Sequence, residues 1–337
     1  MRAAIYGAGA MGTVLGAHIS RAGRQIDLIT RNASHVEALK RDGAHIGGTV
    51  DFTVPVKALL PEEMSGKYDL IFLMTKQREN PSVCAFLSQY LSENGIICTM
   101  QNGLPEFSVA SAIGWERTVG CAVSWGATFI GGGRANLTSS PEKLTFSVGT
   151  YYKSSANLSA VADILGCMGK VKSEENFLGA RWSKLAVNSA FSSISALTGM
   201  TFGEVASDKR MRGVALELLN EAFRVGAACG VKLEKIQGHD IVKIYGYKGG
   251  FKRFWALRLL PLAMKSHKNI ISGMYYDLKA GRKCDIDFIN GVIIHAAKNF
   301  GVDVPLNRAM VKLVEEAESG KISPSPENAE KILAALN

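Results

Sequence analysis

No stretch of this chain is long and apolar enough to cross a bilayer. The richest runs, residues 70–74 and 293–297, fall far short of the roughly 20 apolar residues that a spanning helix needs. Cysteine is sparse: six residues, at 84, 98, 121, 167, 229 and 284, none in a C-x-x-C pair and none beside histidines at zinc-like spacing. A disulfide framework, a redox pair and a metal site are therefore not expected, and the cysteines read as small buried apolar residues or free thiols. The six histidines are scattered, and no serine–histidine–aspartate signature stands out. The opening Met1-Arg2-Ala3-Ala4-Ile5-Tyr6 runs straight into a glycine turn without the apolar stretch of a secretory signal, so the cytoplasm is the expected compartment and no membrane partner is expected. Neither an internal repeat nor a low-complexity tract is present.

What is present suits a globular protein: 337 residues, 47% hydrophobic and 20% charged, a length that favours two domains. The net charge of +9 fits either nucleic-acid binding or the steering of small anionic ligands, and the pattern along the chain favours the second. The first half alternates short apolar runs (residues 3–7, 25–30, 69–74 and 95–100) with helix-compatible segments such as 13–22, and further strands are expected over 118–129 and 144–149. That alternation predicts a parallel sheet with helices on both faces. The character changes near residues 174–179. Beyond it the chain reads as helices: 180–197, 203–229, two or three pieces over 237–280, then 285–300 and 305–318, with a last short helix after the loop at 323–326. The expected fold class is α/β, a dinucleotide-binding Rossmann domain over 1–176 followed by an all-α domain over 177–337, with a cleft between them.

Gly7-Ala8-Gly9-Ala10-Met11-Gly12 matches G-x-G-x-x-G and lies where a strand ends and a helix opens. Gly7 permits the tight turn, Gly9 lets the backbone approach a pyrophosphate, and Gly12 lets the helix pack on the strand. The anion would sit at the positive end of that helix. A ribose-binding carboxylate is missing from the tip of the second strand, where Ile26-Asp27-Leu28-Ile29 runs into Thr30-Arg31-Asn32. Asp27 comes too early in the run. Arg31 can instead pair with a 2′-phosphate, and Thr30 and Asn32 can add neutral donors, so NADP(H) is expected over NAD(H).

With GAGAMG, the strand end Thr75-Lys76, the turn Gln101-Asn102-Gly103, the helix Arg181-Trp182-Ser183-Lys184-Leu185-Ala186-Val187-Asn188 and the later Asp285-Ile286-Asp287-Phe288-Ile289-Asn290-Gly291, the chain resembles the ketopantoate (2-dehydropantoate) reductases over nearly its whole length. The resemblance implies NADPH-dependent reduction of 2-dehydropantoate to pantoate. It implies Lys184 as general acid, Asp285 at the position of a family glutamate, Lys76 and Asn102 at the cofactor, and Asn188 at the substrate. Three positions depart from the family pattern: Ser192 stands for a second asparagine, Gly273 (after Ser272) for a second serine, and Asp285 for glutamate.

The residues support the same chemistry independently. Lys184, Asn188 and Ser192 recur every four positions on a helix that is otherwise apolar, and such a stripe must meet water, partners or a ligand. An ammonium there can stabilise charge growing on a carbonyl oxygen and then protonate it. Asn188, Ser192 and Ser272 can hold a carboxylate. Asp285 can orient Lys184, bind the substrate or cap the helix that follows. Residues 239–268 interleave seven lysines and arginines with aromatics and read as an amphipathic helix pair with a solvated basic face, as a lid or dimer contact, or as a nucleic-acid or membrane-surface site. Three functions stay open: reduction of a small anionic 2-oxo acid, another dehydrogenase on the same plan, and a non-catalytic NADPH sensor.

Overall fold

The computed structural model describes residues 1–152 and 156–334. The chain divides into two compact units, one of residues Met1–Gln101 with Pro105–Phe177, the other of Asn102–Leu104 with Leu178–Asn337.

In the first unit the strands are β1 (Ala3–Tyr6), β2 (Ile26–Ile29), β3 (Ala44–Gly48), β4 (Phe52–Val54), β5 (Lys57–Leu59), β6 (Tyr68–Leu73), β7 (Leu91–Thr99), β8 (Thr118–Val123), β9 (Ala127–Gly131), β10 (Arg134–Leu137), β11 (Thr145–Gly149) and β12 (Lys170–Ser173). Helices α1 (Ala10–Arg21), α2 (Ala33–Asp42), α3 (Asn80–Ser88), α4 (Glu106–Ile113) and α5 (Leu158–Leu165) connect them. An eight-stranded sheet runs β12-β11-β8-β7-β6-β1-β2-β5. Its pairings are parallel except β8 with β11, so the sheet is mixed where the sequence pattern predicts a parallel one. Successive side chains on a strand point to opposite faces. Ile5, Leu28, Phe72 and Cys98 accordingly enter one core with Leu15 of α1 and Val161 of α5. Ala4, Ile71, Leu73 and Ile97 enter the other with Leu87 of α3 and Val109 of α4. Burial on both faces explains why these strands read as continuous apolar runs.

A second sheet, β4-β3-β10-β9, is absent from the sequence reading. The run over 118–129 is two strands: the chain leaves the first sheet after Val123, passes through residues 124–126, and enters the second as β9. Trp125 at that crossing is buried edge-on against Phe146.

The second unit is helical: α6 (Phe177–Thr198), α7 (Phe202–Ser207), α8 (Lys209–Ala228), α9 (Ile241–Tyr245), α10 (Gly250–Ala263), α11 (Gly273–Lys279), α12 (Asn290–Asn299), α13 (Pro305–Glu318) and α14 (Asn328–Ala334). The single helix expected over 203–229 breaks at Asp208, whose carboxylate accepts from Arg210 N and Met211 N and so starts α8. The segment expected as one helix over 285–300 opens instead with a 3₁₀ turn at Ile286–Phe288 before α12. The basic-aromatic segment also differs from expectation. The exposed side of α10 mixes apolar and basic groups: Phe251 is 81% and Leu262 68% exposed beside Phe254 and Trp255, and the guanidinium of exposed Arg258 lies 4.6 Å over the Phe254 ring.

Buried Glu221 of α8 holds the start of α13, accepting from Leu306 N (3.0 Å), Asn307 N (2.9 Å) and Asn307 Nδ2 (2.7 Å). The carboxylate satisfies helix N-terminal amides and complements the helix dipole. Replacing Glu221 by alanine strands those donors, and we expect a stability loss of about 3 kcal/mol, read by urea denaturation. A midpoint unchanged from the parent would show that the cluster contributes nothing.

Candidate active site

The chain leaves β1 into the glycine turn, and the structure shows what each glycine is for. Gly7 has φ +107, and a Cβ on it would lie 2.7 Å from the backbone of Met74 and Thr75. A Cβ on Gly12 would lie 2.5 Å from Gly7 O, whereas one on Gly9 would meet nothing within 4 Å. Two glycines therefore serve the fold, and the third leaves the turn open. Gly9 caps α1 without a side chain, and the first turn of α1 carries no acidic residue. Helix-start amides facing open space beside a glycine suit a pyrophosphate, so the residues present fit a dinucleotide.

The turn is braced from residues that the sequence pattern does not mark. The Gly133 amide donates to His35 Nδ1 (3.1 Å), which leaves the proton on Nε2, facing Thr13 Oγ1 at 3.0 Å. Thr13 Oγ1 in turn donates to Ala8 O (3.3 Å). Burial lowers the pKa of His35 and keeps the ring neutral, as this relay requires.

Arg31, two residues past β2, forms an ion pair with Glu79 at 2.6 Å. Asn32 is committed to capping α2, its Oδ1 accepting from His35 N (3.1 Å) and Ser34 Oγ (2.9 Å). Asp27 is buried among Lys57 (2.9 Å), Arg2 (3.1 Å) and the Tyr68 hydroxyl (2.7 Å). Burial would raise its pKa, but those three partners win and hold it below the ordinary carboxylate value. Lys76 is exposed just past β6. The segment carrying it is fixed by buried Gln101, whose Nε2 donates to Thr75 O (2.9 Å) and Asn80 Oδ1 (2.7 Å). The next residue, exposed Asn102, belongs to the second unit.

In that unit Lys184, Asn188 and Ser192 stand one turn apart along α6. Lys184 and Asn188 are half-buried and Ser192 is 8% exposed, while Leu185, Ala186, Ala190 and Phe191 are fully buried. Hydrogen bonds pin the helix around this stripe: Trp182 Nε1 donates to Ala222 O (2.9 Å), Ser183 Oγ to Glu234 O (2.7 Å) and Asn290 Nδ2 to Ser189 O (3.1 Å). Ser272 N donates to Ser195 Oγ (3.0 Å), so Ser272 lies beside α6. Ser195 is three positions past Ser192 and was missed, since one more serine in a serine-rich run carries no signal. Ser272 also caps α11, its Oγ accepting from Met274 N at 3.3 Å. Asp285 occupies the residue before the 3₁₀ turn but makes no side-chain cap there, so the capping role weighed from sequence is not the one it plays.

The cysteines are free, and Cys84, Cys98, Cys121 and Cys284 are buried. Burial pushes the Cys84 thiol up to about 12, which keeps it protonated and unreactive. No helix among the described residues is long and apolar enough to cross a membrane.

Two family models match consecutive parts of the chain: ketopantoate reductase PanE/ApbA over residues 3–150 and its C-terminal counterpart over 176–318. The 2-dehydropantoate 2-reductase of Archaeoglobus fulgidus is 26% identical over 320 residues, covering 95% of this chain and 98% of its own. A ketopantoate reductase structure from Ralstonia eutropha superposes with a TM-score of 0.80 at 25% identity over 95% of this chain and 99% of that one. The fold is shared more widely: D-mandelate dehydrogenase with NADH and anilino(oxo)acetate gives 0.81 at 20% identity, covering 95% and 99%. With both family models matched in order along one chain, this protein belongs to the ketopantoate reductase family and is an NADP-dependent oxidoreductase.

Proposed function

We propose that the chain reduces a small 2-oxo acid, with 2-dehydropantoate as the first candidate and pantoate as its product. The observation carrying this reading is the half-buried Lys184 and Asn188, one turn apart on a helix where Leu185, Ala186, Ala190 and Phe191 are buried. When bound, the reduced nicotinamide supplies the hydride to the carbonyl carbon. The Lys184 ammonium offsets the negative charge that grows on the carbonyl oxygen and transfers its proton there, so the product leaves as a neutral hydroxyl. Asn188, Ser192 and Ser272 offer donors to the substrate's carboxylate and oxygen, and Asp285 orients the lysine or binds the far hydroxyl. Residues 7–12, with Arg31, Lys76 and Asn102, hold the dinucleotide. The cytoplasm remains the compartment we propose, and a homodimer the assembly, since a second copy would cover the exposed Phe251, Phe254, Trp255 and Leu262 of α10.

A second reading, a larger or less polar 2-oxo acid, is favoured by Gly273. It offers no hydroxyl where the family has serine, and a Cβ there would meet nothing within 4 Å. NADPH oxidation measured against 2-dehydropantoate, pyruvate, 2-oxoisovalerate and phenylglyoxylate separates the readings. Highest kcat/KM with 2-dehydropantoate supports the first, a preference for another acid supports the second, and turnover of none would sink both.

A further inference from the structure

No ribose-binding carboxylate stands at the tip of β2, where Ile29 runs into Thr30-Arg31-Asn32. The structure supplies one from elsewhere. Strands β6, β1 and β2 are neighbours in the sheet, and the glycine turn leaves the middle one. Arg31 follows β2, Glu79 follows β6, and the two side chains meet at 2.6 Å. The backbone of Met74 and Thr75, at the start of the segment that carries Glu79, lies against Gly7. The pair thus stands at the carboxyl ends of adjacent strands, beside the turn, where doubly wound sheets bind nucleotides.

Stability does not account for it. The Arg31 side chain is 68% exposed and that of Glu79 29%, and an ion pair so exposed contributes little. Toward a ligand the two groups act oppositely. A guanidinium favours a 2′-phosphate. A carboxylate repels the phosphate, occupies the guanidinium, and can accept a hydrogen bond from a 2′-hydroxyl. Asn32, one of the two polar residues flanking Arg31, is engaged in capping α2.

We propose that Glu79 is a specificity-determining residue for the dinucleotide, narrowing the preference for NADP(H) over NAD(H) that Arg31 alone would set. The proposal rests on the reading that Arg31 receives the 2′-phosphate. Any NADP-type ligand must first displace Glu79 from Arg31 and then tolerate its charge, whereas a ribose 2′-hydroxyl can use the carboxylate as it stands.

The test is calorimetric binding of NADP⁺, NAD⁺, 2′,5′-ADP and 5′-AMP to the wild-type protein, Glu79→Gln and Arg31→Ala, with no substrate present. Glu79→Gln should tighten NADP⁺ and 2′,5′-ADP by about fivefold, the scale of one exposed ion pair, and should not tighten NAD⁺ or 5′-AMP. Arg31→Ala should weaken the phosphorylated ligands selectively. If Arg31→Ala collapses the NADP⁺/NAD⁺ affinity ratio while Glu79→Gln leaves it unchanged or lowers it, the role given to Glu79 is wrong and the Arg31 reading stands. If Arg31→Ala leaves the ratio unchanged, both fall together.

Discussion

Lys184→Ala should lower kcat for 2-oxo acid reduction by about 10²–10⁴-fold, the range a positioned proton donor contributes, with the dissociation constant for NADP⁺ held within about twofold. Lys184 is half-buried on α6, so truncation opens no cavity of the kind that removing a buried Leu185 or Phe191 would. The helix keeps its anchors at Trp182, Ser183 and Ser189, none of which involves the lysine side chain. Loss of turnover with an unchanged thermal midpoint would therefore report on chemistry and not on folding. Lys184→Arg preserves the charge but holds its protons far more tightly, and it should recover substrate binding without recovering kcat. Wild-type kcat in Lys184→Ala would remove the lysine from the reaction and leave the stripe on α6 with a binding role only.

How far the sequence revealed this site depends on how local each requirement is. The glycine turn was legible because its constraints sit within six residues: a positive φ at Gly7, a close approach at Gly12, an opening at Gly9. The α6 stripe was legible because helical periodicity converts spacing into a shared face. Glu79 was not, because its pairing with Arg31 spans 48 positions and is made by the order of strands in the sheet. The His35–Thr13 relay and the Gln101–Asn80 clamp are long-range contacts of the same sort, made by ordinary polar residues. The second sheet escaped because Ala44-His45-Ile46-Gly47-Gly48 lacks the β-branched run that marks a strand. On α10 the pattern misled for another reason: apolar residues occupy both the inward and the outward face, so no periodicity separates core from surface.

The glycine turn yields the sharpest separation of fold from ligand binding, through two alanine substitutions two residues apart. At Gly7 an alanine must adopt φ +107 and place its Cβ 2.7 Å from the main chain of Met74 and Thr75. Positive φ alone costs an L-residue about 1–2 kcal/mol, and the obstruction is backbone, which cannot rotate away as a side chain can. Gly7→Ala should lose about 3 kcal/mol of stability or more once that obstruction is added, together with dinucleotide binding. At Gly9 φ is negative and a Cβ would meet nothing within 4 Å, so Gly9→Ala should lose far less stability than Gly7→Ala. Yet the space its methyl enters is the approach to the start of α1. A pyrophosphate held off by that methyl loses one or two charge-assisted hydrogen bonds of about 1.5–3 kcal/mol each, and NADP⁺ affinity should fall about 100-fold. Denaturation and calorimetric titration of both variants decide the matter. A Gly9→Ala protein that folds normally and binds NADP⁺ as tightly as the wild type would mean that the open side of the turn is not where the phosphates lie.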